Sequence, residues 1–501
     1  MFSSPLAFVR FKTSISHDLA DPEYKQDGRM HCMKQVSCSR RKFLGCTATA
    51  VSLFAIVPRH VIAGSRKTPP SEKIRIAAVG CAGRPVSNIT GLAEYGAEIV
   101  GLCDVDTRRT GKMCEQFRTA KFFKDYREML DKLDSQIDGV TVGTPDHWHA
   151  AIAIECIRRG KHVQCEKPLA QSFGEVDLMV KAAKESKVVT QAMNQGHAFD
   201  TIRVFREWIE AGLIGNVKEA HFWASAVYSY MDRLDELKKS YDVPKELDWE
   251  LWQGPVTPHR PYCPLYLPGV WRFWTDYGCS TLGDWACHLL DPVFWALNLG
   301  LPCAVTADCV GAWNPAEHGM TFPQGDRFTL EFPAKDGRGP VKIVWYDGKE
   351  CKNVPRPPEF GDKGDFPPHA PRVKGKMNEG GLIYGDKGVI QYGSHGAKDL
   401  RILPEKRMAE LKDSKGLPAP RYPRVPDGSP YKEWLDAIRG GAPVGSDFEY
   451  AGRISQSALM AVAALFDPGK RLEWDSAAGK FKNSDAANAR LRIKRMSGFG
   501  I

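Results

Sequence analysis

Apolar and polar positions along the chain follow two regimes. From residue 73 to about 195, short unbroken apolar runs alternate with longer amphipathic ones. Lys73-Ile-Arg-Ile-Ala-Ala-Val79 suits a strand buried on both faces, and Val86, Ile89 and Leu92 space a helix behind it. Residues 98–103 and 137–142 repeat the strand pattern, 149–159 predicts a helix closed by Gly160, 162–165 is a further strand, and 173–187 has helical spacing. Strands alternating with helices of this length predict an α/β domain, a doubly wound parallel sheet over about 71–195. From Val217 the pattern changes to strand candidates at 217–225, 303–311, 326–332, 340–346 and 388–392, with helices at 430–439 and 450–465. Six prolines in 353–376 predict an irregular loop. This second region, 196–480, reads as a separate domain, followed by a polar tail, 481–501.

Composition excludes several classes. At 501 residues with 43% hydrophobic and 26% charged positions, the chain is that of a globular protein of more than one domain. The formal charge of +9 is uneven: nine Lys/Arg against four Asp/Glu in residues 1–63 leave +4 for the other 438. With no basic block in that remainder, a nucleic-acid partner is not expected. The fourteen cysteines are scattered without a C-x-x-C pair, which supports neither a disulfide framework nor a zinc ribbon.

The basic excess belongs to a leader. Ser39-Arg40-Arg41-Lys42-Phe43-Leu44-Gly45 precedes an uncharged stretch to Pro58, too short for a ~30 Å hydrocarbon core, and Val61-Ile62-Ala63 suits cleavage. The segment resembles a twin-arginine signal, which implies export of the folded protein to the periplasm and no stable membrane span after cleavage.

Gly80-Cys81-Ala82-Gly83-Arg84-Pro85 directly follows the first strand, in the position of a Rossmann phosphate loop. In G-x-G-x-x-G the first glycine makes the turn, the second admits the pyrophosphate and the third packs the helix; here Ala82 and Pro85 replace the last two. Proline is tolerated in a first helical turn, where its missing N–H has no partner. Asp104 ends the second strand, where a carboxylate accepts from ribose hydroxyls and repels a 2′-phosphate, favouring NAD; Arg108 and Arg109 keep NADP open. Alternatively, Asp104 is a helix cap.

Thr144-Pro145-Asp146-His147-Trp148-His149, Gly160-Lys161-His162-Val163 and Glu166-Lys167-Pro168, in that order, resemble the Gfo/Idh/MocA family of sugar and inositol oxidoreductases. Gly212-Leu-Ile-Gly215, Asp284-Trp-Ala-Cys-His288-Leu-Leu-Asp291, Gly385-Asp-Lys-Gly388 and Leu472-Glu-Trp-Asp475 extend the resemblance over roughly 71–495. It implies a Rossmann domain followed, over 196–480, by an α+β substrate and oligomerisation domain with a mostly antiparallel, open-faced sheet, and a homo-oligomer. It also implies hydride transfer between NAD and a hydroxyl of a sugar, sugar derivative or cyclitol.

The resemblance places Lys167, His288 and Asp284 at the reaction: Lys167 polarises the reacting oxygen, His288 serves as acid/base, and Asp284, four residues earlier on one helix face, positions or charges it. A bound nicotinamide cation would lower the Lys167 pKa. The expected cofactor contacts are Gly80, Ala82, Gly83, Arg84, Asp104, Thr144, Pro145, His149, Glu166 and Lys167. Pro292 cannot donate to the His288 carbonyl, so the helix should loosen there. A surface lysine and a satisfied core histidine are the structural alternatives. Six of the thirteen tryptophans fall between Trp249 and Trp295, a segment suited either to a sugar-binding wall or to packing. Arg272, Trp274, Tyr262 and Asn194 are the expected substrate contacts. No metal is expected: His147 and His149 are two apart, and a cation at Asp284, His288 and Asp291 is a minor alternative. Two other functional readings stay open: a redox-neutral, NAD-dependent glycoside hydrolase or lyase working through a keto-sugar, and a non-catalytic cofactor- or sugar-binding protein.

Overall fold

The computed structural model describes residues 73–355, 357, 372–373, 376–377 and 379–501. The expected leader and most of the proline-rich loop lie outside them. The first region reads β1 Arg75–Val79, α1 Pro85–Glu94, β2 Glu98–Cys103, α2 Gly111–Gln116, β3 Lys121–Phe123, α3 Tyr126–Leu133, β4 Gly139–Val142, α4 Asp146–Arg158, β5 His162–Cys165, α5 Phe173–Lys184 and β6 Thr190–Ala192. The strands are parallel in the order β3-β2-β1-β4-β5-β6, which puts the topological switch, and the crevice it opens, between β1 and β4. Local chemistry sets the helix ends. Asp125 caps α3, Ser172 and Glu175 form a capping box on α5, and Gly160 at φ +72 terminates α4. Helix α4 begins at Asp146, three residues before the apolar spacing predicts, so the Asp-His-Trp-His segment is helical.

The second region continues with α6 Asp200–Glu210, β7 Val217–Ala224, α7 Trp249–Gln253, α8 Ser280–Leu289, α9 Asp291–Ala296, β8 Ala304–Cys309, α10 Pro315–His318, β9 Asp326–Phe332 and β10 Val341–Asp347. A short hairpin follows, β11 Arg372–Val373 and β12 Lys376–Met377, then β13 Glu379–Gly385, β14 Gly388–Tyr392 and β15 Arg401–Leu403. The chain ends with α11 Glu405–Asp413, α12 Pro430–Ile438, α13 Phe448–Ala464, β16 Leu472–Asp475, β17 Lys480–Phe481 and α14 Asp485–Leu491. Nine strands form the sheet β15-β14-β13-β7-β10-β9-β8-β16-β17, antiparallel throughout except for β7 against β10. Its main core packs one face against α8, α9 and α13 through Leu282, Leu289, Phe294 and Ile454. The helix carrying His288 stops at Leu289 and a new one starts at Asp291 with Pro292 in its first turn, as the missing N–H requires.

The C-terminal segments return to the first sheet. Trp434 on α12 is fully buried with Ile76 and Leu92, and Phe448 and Leu459 of α13 join the core under α4. The expected polar tail holds α14 and docks. Arg495 is buried against Glu175 at 2.7 Å, and Phe499 meets Trp148 edge-on at 5.3 Å. Among the described residues no helix is long and apolar enough to cross a membrane.

Candidate active site

The phosphate loop is tight in spite of its substitutions. Gly80 takes φ +88 and donates its N–H to Cys103 O at 2.8 Å; a Cβ there would sit 2.7 Å from Gly143 O. Only glycine fits this turn. Pro85 occupies the place of the third glycine at the start of α1, and the close packing that glycine would provide is supplied from the opposite side. Gly143, at the end of β4, has no side chain, and a Cβ there would overlap the Pro85 ring. Asp104 closes the loop: its carboxylate accepts from Cys81 N–H at 2.8 Å and Asp106 N–H at 3.0 Å. Burial pushes its pKa up despite those bonds.

A cavity of about 390 Å³ runs from this loop along the sheet edge, past Asp104, Thr144 and Pro145, to Glu166, Lys167 and Arg272. Ala82, Gly83 and Arg84 also line it, so the loop residues expected to touch the cofactor all face one space. Those donors and that glycine turn, set at the N-terminus of α1, fit a dinucleotide. Glu166 is committed structurally, accepting from Asn88 Nδ2 at 2.8 Å and pairing with Arg84 at 3.3 Å. His149 stands behind the wall, with Nδ1 and Nε2 each 2.8 Å from a carbonyl, of Pro168 and Thr144. It ties the β4–α4 turn to the turn carrying Lys167.

At the far end, β5 and α8 bring Lys167 and Asp284 together across more than a hundred residues. Lys167 Nζ is 2.6 Å from Asp284 Oδ1 and donates to its backbone carbonyl at 3.0 Å. Arg272 Nε lies 3.1 Å from the same carboxylate oxygen, and Tyr228 OH donates to Oδ2 at 2.7 Å. Burial would raise the Asp284 pKa, but the Lys167 and Arg272 cations hold it far below the usual carboxylate range. Burial likewise pulls on Lys167, yet Asp284 outweighs it and keeps the ammonium above the ordinary lysine range. In this structure, then, Lys167 is a fixed cation.

His288 sits one turn beyond Asp284 on α8, but the expected partnership is corrected by the geometry. Both Asp284 oxygens are taken by Lys167, Arg272 and Tyr228, while His288 Nδ1 is enclosed without a partner. Its ring stacks on His395 instead, centroids 3.8 Å apart. Burial, joined by Lys167 and His395, pulls the His288 pKa far below the ordinary histidine value.

Two of the expected substrate contacts are packing residues. Trp274 is fully buried, donates to Leu265 O at 2.6 Å and packs on Tyr230 and Tyr266; Tyr262 meets Trp249 edge-on. Neither lines the cavity, because the aromatic segment spends these rings on its own small core. Trp252 and Trp271 line it instead, with the Arg272 guanidinium 4.2 Å over the Trp271 ring. Asn194 lies two residues past the end of β6, outside the cavity wall, with both amide atoms enclosed and unpaired. Asp291 is a structural node rather than a cation ligand, bonded to His197 at 2.9 Å and to Tyr450.

Asp146, Tyr228, Trp271 and His395 were not assigned roles from sequence. Asp146 lines the cavity, accepts from Cys279 Sγ at 3.0 Å, leaves its other oxygen enclosed and unpaired, and is pushed up to about 6 by burial. It falls within the Thr144–His149 motif and Trp271 within the aromatic segment; Tyr228 and His395 carry no local signal.

Fold and site define a two-domain α/β protein with a dinucleotide cleft and a lysine–carboxylate pair at its end. Residues 74–193 match the Gfo/Idh/MocA family model described as the oxidoreductase family's NAD-binding Rossmann fold, and residues 203–316 match that family's C-terminal alpha/beta domain. The two matches together fall within residues 74–316. The chain is 36% identical over 220 residues to a levoglucosan dehydrogenase of Pseudarthrobacter phenanthrenivorans, covering 44% of this chain and 46% of that protein. It is 33% identical over 117 residues to an inositol 2-dehydrogenase of Rubrobacter xylanophilus, covering 23% and 33%. It therefore spans less than half the length of these relatives. Among solved structures, the WlbA dehydrogenase of Bordetella pertussis, in complex with NADH and UDP-GlcNAcA, shares the fold at TM-score 0.53 and 18% identity, over 80% of this chain and 99% of that one.

Proposed function

We propose that this chain is an NAD-dependent oxidoreductase acting on a hydroxyl of a sugar, sugar derivative or cyclitol. The observation that carries the reading is the buried Lys167–Asp284 pair, 2.6 Å apart, at the end of the cavity that begins at the phosphate loop. NAD, when bound, supplies the hydride acceptor; the chain must handle the proton and the charge left on oxygen. Lys167, kept charged by Asp284, stabilises negative charge developing on the substrate oxygen. His288, held neutral, takes the hydroxyl proton. Arg272 and Trp271 orient the ring. Asp104 disfavours a 2′-phosphate, and Arg108 is tied to Asp106 at 2.7 Å, leaving Arg109 as the one cation of that pair on the cavity wall. The dehydrogenase names of the two relatives agree with this reading.

The cover of the cavity favours a second reading. Residues 246–272 are stitched to the first sheet: Thr107 N–H donates to Glu246 O at 3.3 Å, Asp248 N–H to Val105 O at 3.0 Å and Trp148 Nε1 to Trp252 O at 3.0 Å. A cofactor beneath such a strap exchanges slowly, and a retained cofactor suits chemistry that restores it in place, as in a redox-neutral hydrolase or lyase. On the same reading, the leader directs folded protein to the periplasm by the twin-arginine route, which the Arg40-Arg41 pair before an uncharged stretch supports, and the chain works as a homo-oligomer.

Purified protein is denatured and its nicotinamide identified, then native protein is incubated with sugars and cyclitols while nicotinamide absorbance and products are followed. Absorbance change with product supports the first reading, and product without it the second. Bound nicotinamide with neither outcome sinks both. Fractionation of cells expressing wild type and an Arg40→Lys/Arg41→Lys variant tests the export route.

A further inference from the structure

Beside Lys167, two imidazoles lie face to face. The His288 and His395 rings are inclined by 28° at 3.8 Å, and Trp285 stands edge-on to both at 6.0 and 6.1 Å. His288 rides on α8. His395 is delivered by the loop after β14, in which His395, Gly396, Ala397 and Asp399 take φ of 39, 71, 60 and 55. Three of these are not glycine, and such a run persists only where its surroundings over-determine it. The surroundings do so. Gly196 and Gly396 touch backbone to backbone, leaving no room for a Cβ on either, Thr201 Oγ1 donates to Gly396 O, and Gly393 N–H donates to Lys398 O at 2.7 Å. A strained loop clamped on the end of the first sheet thus presents one side chain to the ring that Asp284 leaves unheld.

We propose that His395 is a positioning residue for His288: its ring fixes the plane of the His288 imidazole, and the contact allows the pair one proton between them. The charged groups facing the pair come from every packed element. They are Lys167 after β5, Asp284 on α8, Arg84 in the phosphate loop and Lys398 in the loop itself. Burial first, and then the predominance of cations, makes both rings resist protonation. His395 is the less buried of the two, with burial and then Lys167 bringing its pKa down to about 4. On acidification it takes the first proton, and its charge then refuses one to His288. His288 accordingly stays a free base over the whole range in which a hydroxyl proton has to be accepted. The inference rests on the proposed role of His288, but its test uses no turnover.

Imidazole resonances of the full chain, isotopically labelled in histidine, are followed from about pH 8 to about pH 4 in wild type, His395→Phe and His395→Ala. In wild type the His288 signals should respond at the His395 step while His288 itself stays neutral. In His395→Phe, which keeps a flat ring without a charge, the His288 signals should lose that step and stay level over the same range. In His395→Ala the step should be lost likewise, and the fixed contacts between the His288 and Trp285 rings should average out. A step in the His288 signals that persists in His395→Phe overturns the proposal. So does a His288 signal in wild type that is silent when His395 titrates, a result that needs no variant to fold. Absence of sugar oxidation would leave both measurements unaffected.

Discussion

Replacing Asp284 with Asn tests the charge architecture of the site most directly. The carboxylate is 9% exposed and faces Lys167 at 2.6 Å and Arg272 at 3.1 Å. Breaking a buried pair from one side costs about 3–5 kcal/mol, because the remaining charge is stranded. Lys167 has one escape, loss of its proton. From an ordinary value near 10.4, that costs about 4.6 kcal/mol at pH 7 and about 1.9 kcal/mol at pH 9. The penalty at pH 7 is therefore about 4 kcal/mol, falling to about 2 kcal/mol at pH 9. The wild-type contribution of the pair has no such slope. The depressed Asp284 pKa gives stability present above the unfolded carboxylate value and lost only as pH falls through the folded one. The raised Lys167 pKa gives stability complete below the unfolded lysine value and lost as pH rises through the folded one. Between about pH 5 and pH 9 both are present in full. Urea unfolding followed by tryptophan fluorescence measures the difference at each pH. Adding Lys167→Met to Asp284→Asn removes the stranded ammonium and should recover about half of the loss or more. A single-variant cost below about 1 kcal/mol at pH 7, an equal cost at pH 9, or no recovery in the double variant would refute the reasoning.

Three further outcomes follow from packing and burial. Gly143→Ala places a methyl group in the Pro85 ring, so unfolding should be easier by about 1–3 kcal/mol and NAD binding, followed by fluorescence, weaker by about tenfold. Asp146, pushed up to about 6, binds a proton more tightly folded than unfolded, so its own contribution to stability should rise as pH falls from about 6 toward 4. Asp146→Asn should remove that contribution from the slope and gain about 1–3 kcal/mol at pH 8, and a slope between about pH 6 and 4 equal to that of wild type in urea melts would contradict the assignment. Arg495→Ala strands Glu175 in a buried site and should cost about 3–5 kcal/mol in the same melts, whereas a loosely held tail would cost nothing.

What was legible in the sequence tracks the distance over which the causes act. The strands at 326–332 and 388–392 stand where their apolar pattern put them, and Gly80, Pro85 and Asp104 assemble one turn because their constraints are local: a left-handed φ, a missing N–H, a carboxylate within reach of two amides. Motif order was enough to bring Lys167 and Asp284 to one place. It was not enough to say which atoms pair. Helical spacing put Asp284 and His288 on one face, and the natural reading joined them; the competition was decided by Lys167, Arg272 and Tyr228, from three other segments. Gly143 had no visible purpose until Pro85 lay against it, so the missing third glycine looked like a loss where the packing had only changed sides. His395 shows the limit of sequence most clearly. Its neighbours Ser394 and Gly396 suggest an ordinary turn, and only the contact of Gly396 with Gly196, two hundred residues away, makes that turn a means of presenting an imidazole. Residues whose role comes from a return loop carry no periodicity and no motif, so the part of a site that tunes its chemistry is the part a single sequence conceals.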